Sequence, residues 1–160
     1  MKLHNLTSNY LINLAIISWC SAQIIKVILT LIKNKKLQLE RLVGAGGMPS
    51  AHSAMVCSVA AGACNKFGFS SPIFALAITV ALIVMYDAMG VRYAASKHAK
   101  AINDIVDIIK DDEDFLKTDN KQYLMDILKN KLNESLGHKP IEVVCGAILG
   151  IVLVFIIPIP

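Results

Sequence analysis

The sequence predicts an all-α, polytopic membrane helix bundle with about four transmembrane helices and a soluble helical insertion between the third and the fourth. Three observations carry this expectation. Of the 160 residues, 55% are apolar and only 18% are charged, a balance that belongs to membrane proteins rather than soluble domains. Four apolar segments approach the roughly 20 residues that a helix needs to cross a bilayer. Their ionisable residues gather near the segment ends. The chain is read as a single membrane domain, 1–160.

The first span covers about 11–32. It is too long for the apolar region of a secretory signal, and "SWCSAQ", with Trp19 and Gln23, is a poor cleavage site, so it reads as a retained helix. Lys26 within it either snorkels to the basic loop that follows or serves as a ligand. The second span, about 49–64, is short and opens on the polar stretch "GGMPSAHSA". The third covers about 71–91 and the fourth about 140–160. Gly146 and Gly150 in the fourth, four residues apart, suit close helix packing in lipid. Cys20, Cys57, Cys64 and Cys145 all fall inside apolar runs with no C-x-x-C pair, which makes them small buried hydrophobes.

Orientation follows basic residues in short loops. Lys33, Lys35, Lys36 and Arg41 follow the first span, only Lys66 follows the second, and 92–139 holds nine Lys/Arg and nine Asp/Glu. The first and third loops are therefore expected in the cytoplasm, with both termini outside. In the third loop, Ala99–Ile109 reads as an amphipathic helix with Ile102, Val106 and Ile109 on one side. An acidic break, "KDDEDF", precedes a second helix over Tyr123–Leu132. These helices either pack under the bundle or dock a partner.

On this orientation His52, Asp87, Arg92, His138 and Glu142 all fall at the cytoplasmic side. Ionisable groups beside membrane segments are costly and are usually buried against each other or a polar cavity. In "GGMPSAHSA" the glycines let backbone approach a ligand, Pro49 suits a first helical turn, and Ser50 or Ser53 caps it. Free N–H groups at such a helix start form an anion site. Alternatively, this is a Gly-Pro turn with an incidental His. His138 and Glu142, four apart at a helix start marked by Pro140, share one face, where the carboxylate holds one imidazole nitrogen and leaves the other free. The bland counterpart is an interfacial ion pair. Asp87 and Arg92 form either a structural pair or a phosphate fork. Arg41 lies a few residues before the glycines, within reach of the same anion. No set of residues has the spacing of a metal site, no cofactor is expected, and phosphate or vanadate suits the anion position. Phosphate-ester cleavage fits this collection: His138 attacks phosphorus and His52 protonates the leaving oxygen.

"PSAHSA" resembles the P-S-G-H motif of the type 2 phosphatidic acid phosphatase and vanadium haloperoxidase superfamily. "GHKPIEVVCGAILG" is similar to that superfamily's last motif, in which a nucleophilic His is followed four residues later by Asp, then Val and spaced glycines. With "WCSAQIIKVIL" and "SPIFALAITVALIVMYDAMGVRYAA" in order, nearly the whole chain looks like its divergent, YuiD-type branch of bacterial membrane proteins. The resemblance implies an all-helical membrane bundle with His138 as nucleophile, Glu142 as orienting acid and His52 as general acid. It gives Ser50, Gly47 and Arg92 the phosphate contacts. This chain lacks the superfamily's first motif, a Lys followed by six residues and Arg-Pro: fourteen residues separate Lys26 from Arg41. It has Leu132 where an Arg usually precedes the nucleophile by six positions, and Glu142 in place of Asp.

The expected function is a metal-independent phosphatase of the bacterial cytoplasmic membrane, acting on a lipid phosphate or pyrophosphate. The alternatives are a lipid-phosphate binding or transport protein that has lost turnover, and a structural subunit that recruits partners through its soluble helices. Membrane lipid is the expected partner, and four short spans are consistent with a homodimer. Nucleic acid is not expected, because no basic patch with interleaved aromatics occurs.

Overall fold

The computed structural model describes residues 9–35, 47–111, 132 and 137–157, and every regular element among them is an α-helix. Helix α1 (Tyr10–Asn34) starts where the Asn9 side chain accepts the Leu11 and Ile12 N–H groups, and it closes at Lys35 in the left-handed region. Helix α2 (Ala51–Phe67) is capped by Ser50, whose hydroxyl accepts the Ser53 N–H. Helix α3 (Pro72–Met89) has Ser71 as its cap and Pro72 in its first turn, where a missing N–H costs nothing. Helix α4 (Val91–Asp111) follows after Gly90 alone. Helix α5 (Pro140–Ile156) again begins with proline, and the Glu142 carboxylate accepts the Lys139 N–H.

Helix α2 is the hub, packing against α1, α3 and α5. Consecutive members of the set α1, α2, α3 and α5 run in opposite directions. At one end of the bundle the Tyr10 hydroxyl donates to the Ile157 carbonyl, and the Lys66 ammonium stands 5.5 Å over the Tyr10 ring. The opposite end gathers the start of α2, the end of α3 and the start of α5.

Small residues fill the interior. Ala22, Ala51, Ala54, Ala60, Ala63, Ala81 and Ala88 are buried, as are Ser18, Ser50, Ser53 and Ser58. Large apolar residues point outward instead, among them Ile24, Ile32, Leu76, Ile83, Ile148 and Phe155. A water-soluble monomer does not present so continuous an apolar exterior, whereas helices in lipid pack through small residues that let their backbones approach. Helices α2 and α5 approach backbone to backbone. A Cβ at Gly146 would overlap the Ser50 carbonyl, and one at Gly150 would overlap the Ala54 carbonyl. The packing role expected for this glycine pair is the one observed.

By length and apolarity α1 and the segment beginning at Pro72 qualify as membrane-crossing helices. At 17 residues each, α2 and α5 are about 26 Å long at ~1.5 Å per residue. The segment after the third span departs from expectation. Its helix starts at Val91 rather than Ala99, because "VRYAASKHAK" contains no breaker and Gly90 alone interrupts the chain. Ala99 and Asn103, not Ile102, form its buried face, and Ile102 is exposed. Asn103 binds the Leu132 backbone at both ends of its amide, each at 2.9 Å. The rest of the expected helix over Tyr123–Leu132 lies outside the described residues, as do Arg41 and the end of the fourth span beyond Ile157.

Candidate active site

Three chain segments meet at one end of the bundle, and backbone hydrogen bonds join them. The Ser50 N–H donates to the Glu142 carbonyl at 2.9 Å, which fixes the start of α2 against the first turn of α5. The His138 N–H donates to the Ala88 carbonyl at 3.1 Å, which fixes the entry to α5 against the end of α3. Gly137 lies directly on the backbone of Arg92 and Tyr93, where any Cβ would overlap them. The start of α4 thus sits beside His138, although dozens of residues separate them in sequence. The positive ends of the α2 and α5 dipoles converge on this place, as an anion site requires.

His138 is 1% exposed. Its Nδ1 lies 3.0 Å from a Glu142 carboxylate oxygen, the same oxygen that accepts the Lys139 N–H. A carboxylate in that position selects the tautomer with the proton on Nδ1 and leaves a lone pair on Nε2. That Nε2 is buried and has no hydrogen-bond partner among the described residues. A buried polar atom left unpaired costs about 1–3 kcal/mol, and such atoms recur where a ligand supplies the missing contact.

His52 is exposed in the first turn of α2, and its ring meets that of His138 edge-on with centroids 6.3 Å apart. His52 also lies within electrostatic reach of Arg92, Lys26 and Asp87. These charged groups, expected from separate segments, therefore share the end of the bundle that holds the two histidines. Lys26 is 2% exposed. Its aliphatic stem runs beside Gly47, where a Cβ would lie 3.4 Å from its Cγ and Cδ. Gly47 has φ +100°, a conformation that glycine alone adopts without strain. Ser50 and Ser53 are wholly buried, with the Ser53 hydroxyl donating to the Ser50 oxygen at 3.0 Å.

Arg92 and Asp87 are joined through the arginine Nε and a carboxylate oxygen, with both side chains substantially exposed. The Asp–Arg pair weighed from sequence therefore forms. Among the described residues no group of three His, Cys, Asp or Glu is placed to hold a metal ion. Two contributions escaped the sequence reading: the Ala88 carbonyl, an ordinary backbone group with no sequence signal, and Gly137, whose signal was its place immediately before His138. Gln23 and Ser18 were also missed as buried polar residues of α1, each with an oxygen that has no hydrogen-bond partner among the described residues. Their polarity inside an apolar span was the available clue.

Comparison with known proteins agrees in extent. The Divergent PAP2 family matches residues 7–153. The uncharacterized membrane protein YuiD of Bacillus subtilis (strain 168) is 38% identical over 140 residues, covering 85% of each chain. No solved structure matches this chain.

Proposed function

The chain belongs to the Divergent PAP2 family, and from that membership and the paired histidines we propose that it is an integral membrane phosphatase acting on a lipid phosphate or pyrophosphate. The observation that carries the proposal is His138: one ring nitrogen is held by Glu142, the other is buried with no partner among the described residues, and the ring centroid stands 6.3 Å from that of His52.

The chemistry proceeds in two displacements. The His138 Nε2 lone pair attacks phosphorus while the bond to the leaving oxygen breaks, and His52 gives that oxygen its proton. The phosphohistidine is then cleaved by water, whose proton passes to His52, and inorganic phosphate leaves with both histidines restored. Glu142 stabilises the imidazolium that develops on His138. The positive dipole ends of α2 and α5, with Lys26 and Arg92, face the charge on the phosphoryl oxygens. The four-span arrangement, with this end in the cytoplasm and the protein in the bacterial cytoplasmic membrane, belongs to the same proposal.

One observation favours a second reading, a lipid-phosphate binding or transport protein that has lost turnover. Arg92, which would clasp phosphate, is already engaged by Asp87. The two readings separate in one experiment. Purified protein in detergent is given phosphatidic acid, phosphatidylglycerol phosphate or undecaprenyl pyrophosphate with chelator present. Phosphate release that disappears in His138→Ala is the expected result. Tight vanadate binding without release from any of the three would establish the second reading.

A further inference from the structure

A phosphorylated lipid with its head at His138 carries hydrocarbon that must leave the site sideways, into the bilayer. Helices α3 and α5 both pack on α2, and between them runs a cleft of about 690 Å³. Leu82, Met85 and Met89 line it from α3, and Val143, Ala147 and Ile151 line it from α5. One end abuts the site. Met89 follows Ala88, whose carbonyl accepts the His138 N–H, and Val143 follows Glu142, which holds the His138 ring. At the other end Ile151 also lines a second apolar cleft, of about 240 Å³, with Cys57, Phe74 and Ile78.

The dimensions match one leaflet. From Val143 to Ile151 the cleft follows α5 for about 12 Å at ~1.5 Å per residue. One leaflet contributes about 15 Å of hydrocarbon, half of a ~30 Å core. The lining suits a chain rather than a rigid partner: Met85 and Met89 are unbranched and adapt to irregular apolar shapes, and no charged group interrupts the wall.

Resting on the phosphatase reading, we infer that the α3–α5 cleft holds a hydrocarbon chain of the phosphorylated lipid whose head group occupies the His138 site. The substrate is then a lipid of a single leaflet that enters laterally between α3 and α5. It is not a soluble phosphate ester admitted from the aqueous side.

The test uses the full-length protein in lipid nanodiscs and phosphatidic acid carrying a photoactivatable diazirine in one acyl chain. After irradiation, peptide mass spectrometry is expected to find the label within 82–89 and 143–151. Excess unlabelled phosphatidic acid should suppress it at least fivefold, and phosphatidylcholine should not. Ala147→Phe, which fills the cleft, should lower both the labelling and the ratio of long-chain to dihexanoyl phosphatidic acid turnover by tenfold or more. Label spread over α1 and the first half of α3, outside 82–89 and 143–151, or displaced equally by phosphatidylcholine, would overturn the inference, because the cleft would then hold only bulk lipid. Crosslinks joining two copies of the chain through α3 and α5 would overturn it in favour of a dimer interface. The two readings fail separately. Competed cleft labelling with no phosphate release from either lipid would retire the phosphatase and keep the cleft. Normal release with label elsewhere would do the reverse.

Discussion

At the scale of single residues, the arrangement assigns different losses to the two histidines. His52 acts on the leaving oxygen and His138 forms the bond to phosphorus. His52→Ala is therefore expected to lower phosphate release from a poor leaving group by about 10²–10⁴-fold, as loss of a general acid does. With a phenolic leaving group such as p-nitrophenol, which departs without a proton, the loss should shrink at least tenfold. A uniform loss across both esters would mean that His52 acts only by position. Glu142→Gln keeps shape and removes charge, and should cost about 10–100-fold, the usual scale for a group that orients a histidine. Much of this was legible in sequence. The pairing of His138 with Glu142 was readable from their spacing, but not as a shared helical face: His138 precedes α5, and Glu142 in the first turn reaches back to its Nδ1 at 3.0 Å. The placement of Lys26 was not legible, since a lysine inside a span snorkels as readily as it stays within. Its burial and its packing along Gly47 show that it stays within.

At the scale of elements, the α2–α5 contact sets the site. Gly146 lies on the Ser50 carbonyl, and Ser50 itself is bonded through its N–H to Glu142. Any side chain at 146 therefore separates the histidines as well as the helices. Gly146→Val is expected to cost about 1–3 kcal/mol, the usual penalty of overpacking. The change should appear as a lower unfolding midpoint in detergent together with lost phosphate release. Full activity in a variant with a lowered midpoint would show that the site does not depend on this contact. The starts of α2, α3 and α5 were readable to within two residues, but Pro49, expected in the first turn of α2, lies before its cap Ser50. The start of α4 was not, because the onset of charge at Arg92 looks like the end of a helix when only Gly90 breaks it. Its buried face escaped for a related reason: Ala99 and Asn103 are small or polar, and a search for apolar periodicity passes over them.

At the scale of the whole molecule, the proposed orientation puts the site end in the cytoplasm and the Tyr10–Lys66–Ile157 end outside. In a variant with the four native cysteines replaced by serine, a membrane-impermeant maleimide applied to intact cells should label Lys66→Cys and spare Lys97→Cys until the cells are opened. The opposite pattern would move the site to the outer face and leave the chemistry intact. The all-helical bundle was foreseeable from apolar segments alone. Its inverted packing was not, because composition counts apolar residues without saying which of them face inward.

That inversion bears on how the chain drifts over generations. In a water-soluble domain the bulky core is the guarded part and the surface wanders. Here a swap among Leu, Ile, Val and Phe on the outer faces of α1, α3 and α5 changes one hydrocarbon contact for another, while one added methyl at Gly146 or Gly150 meets a carbonyl. A saturation scan for growth under conditions that need the protein should find its intolerant positions almost entirely among glycine, alanine, serine and the charged end. The residues that make the chain look like a membrane protein would be the ones it can most freely exchange.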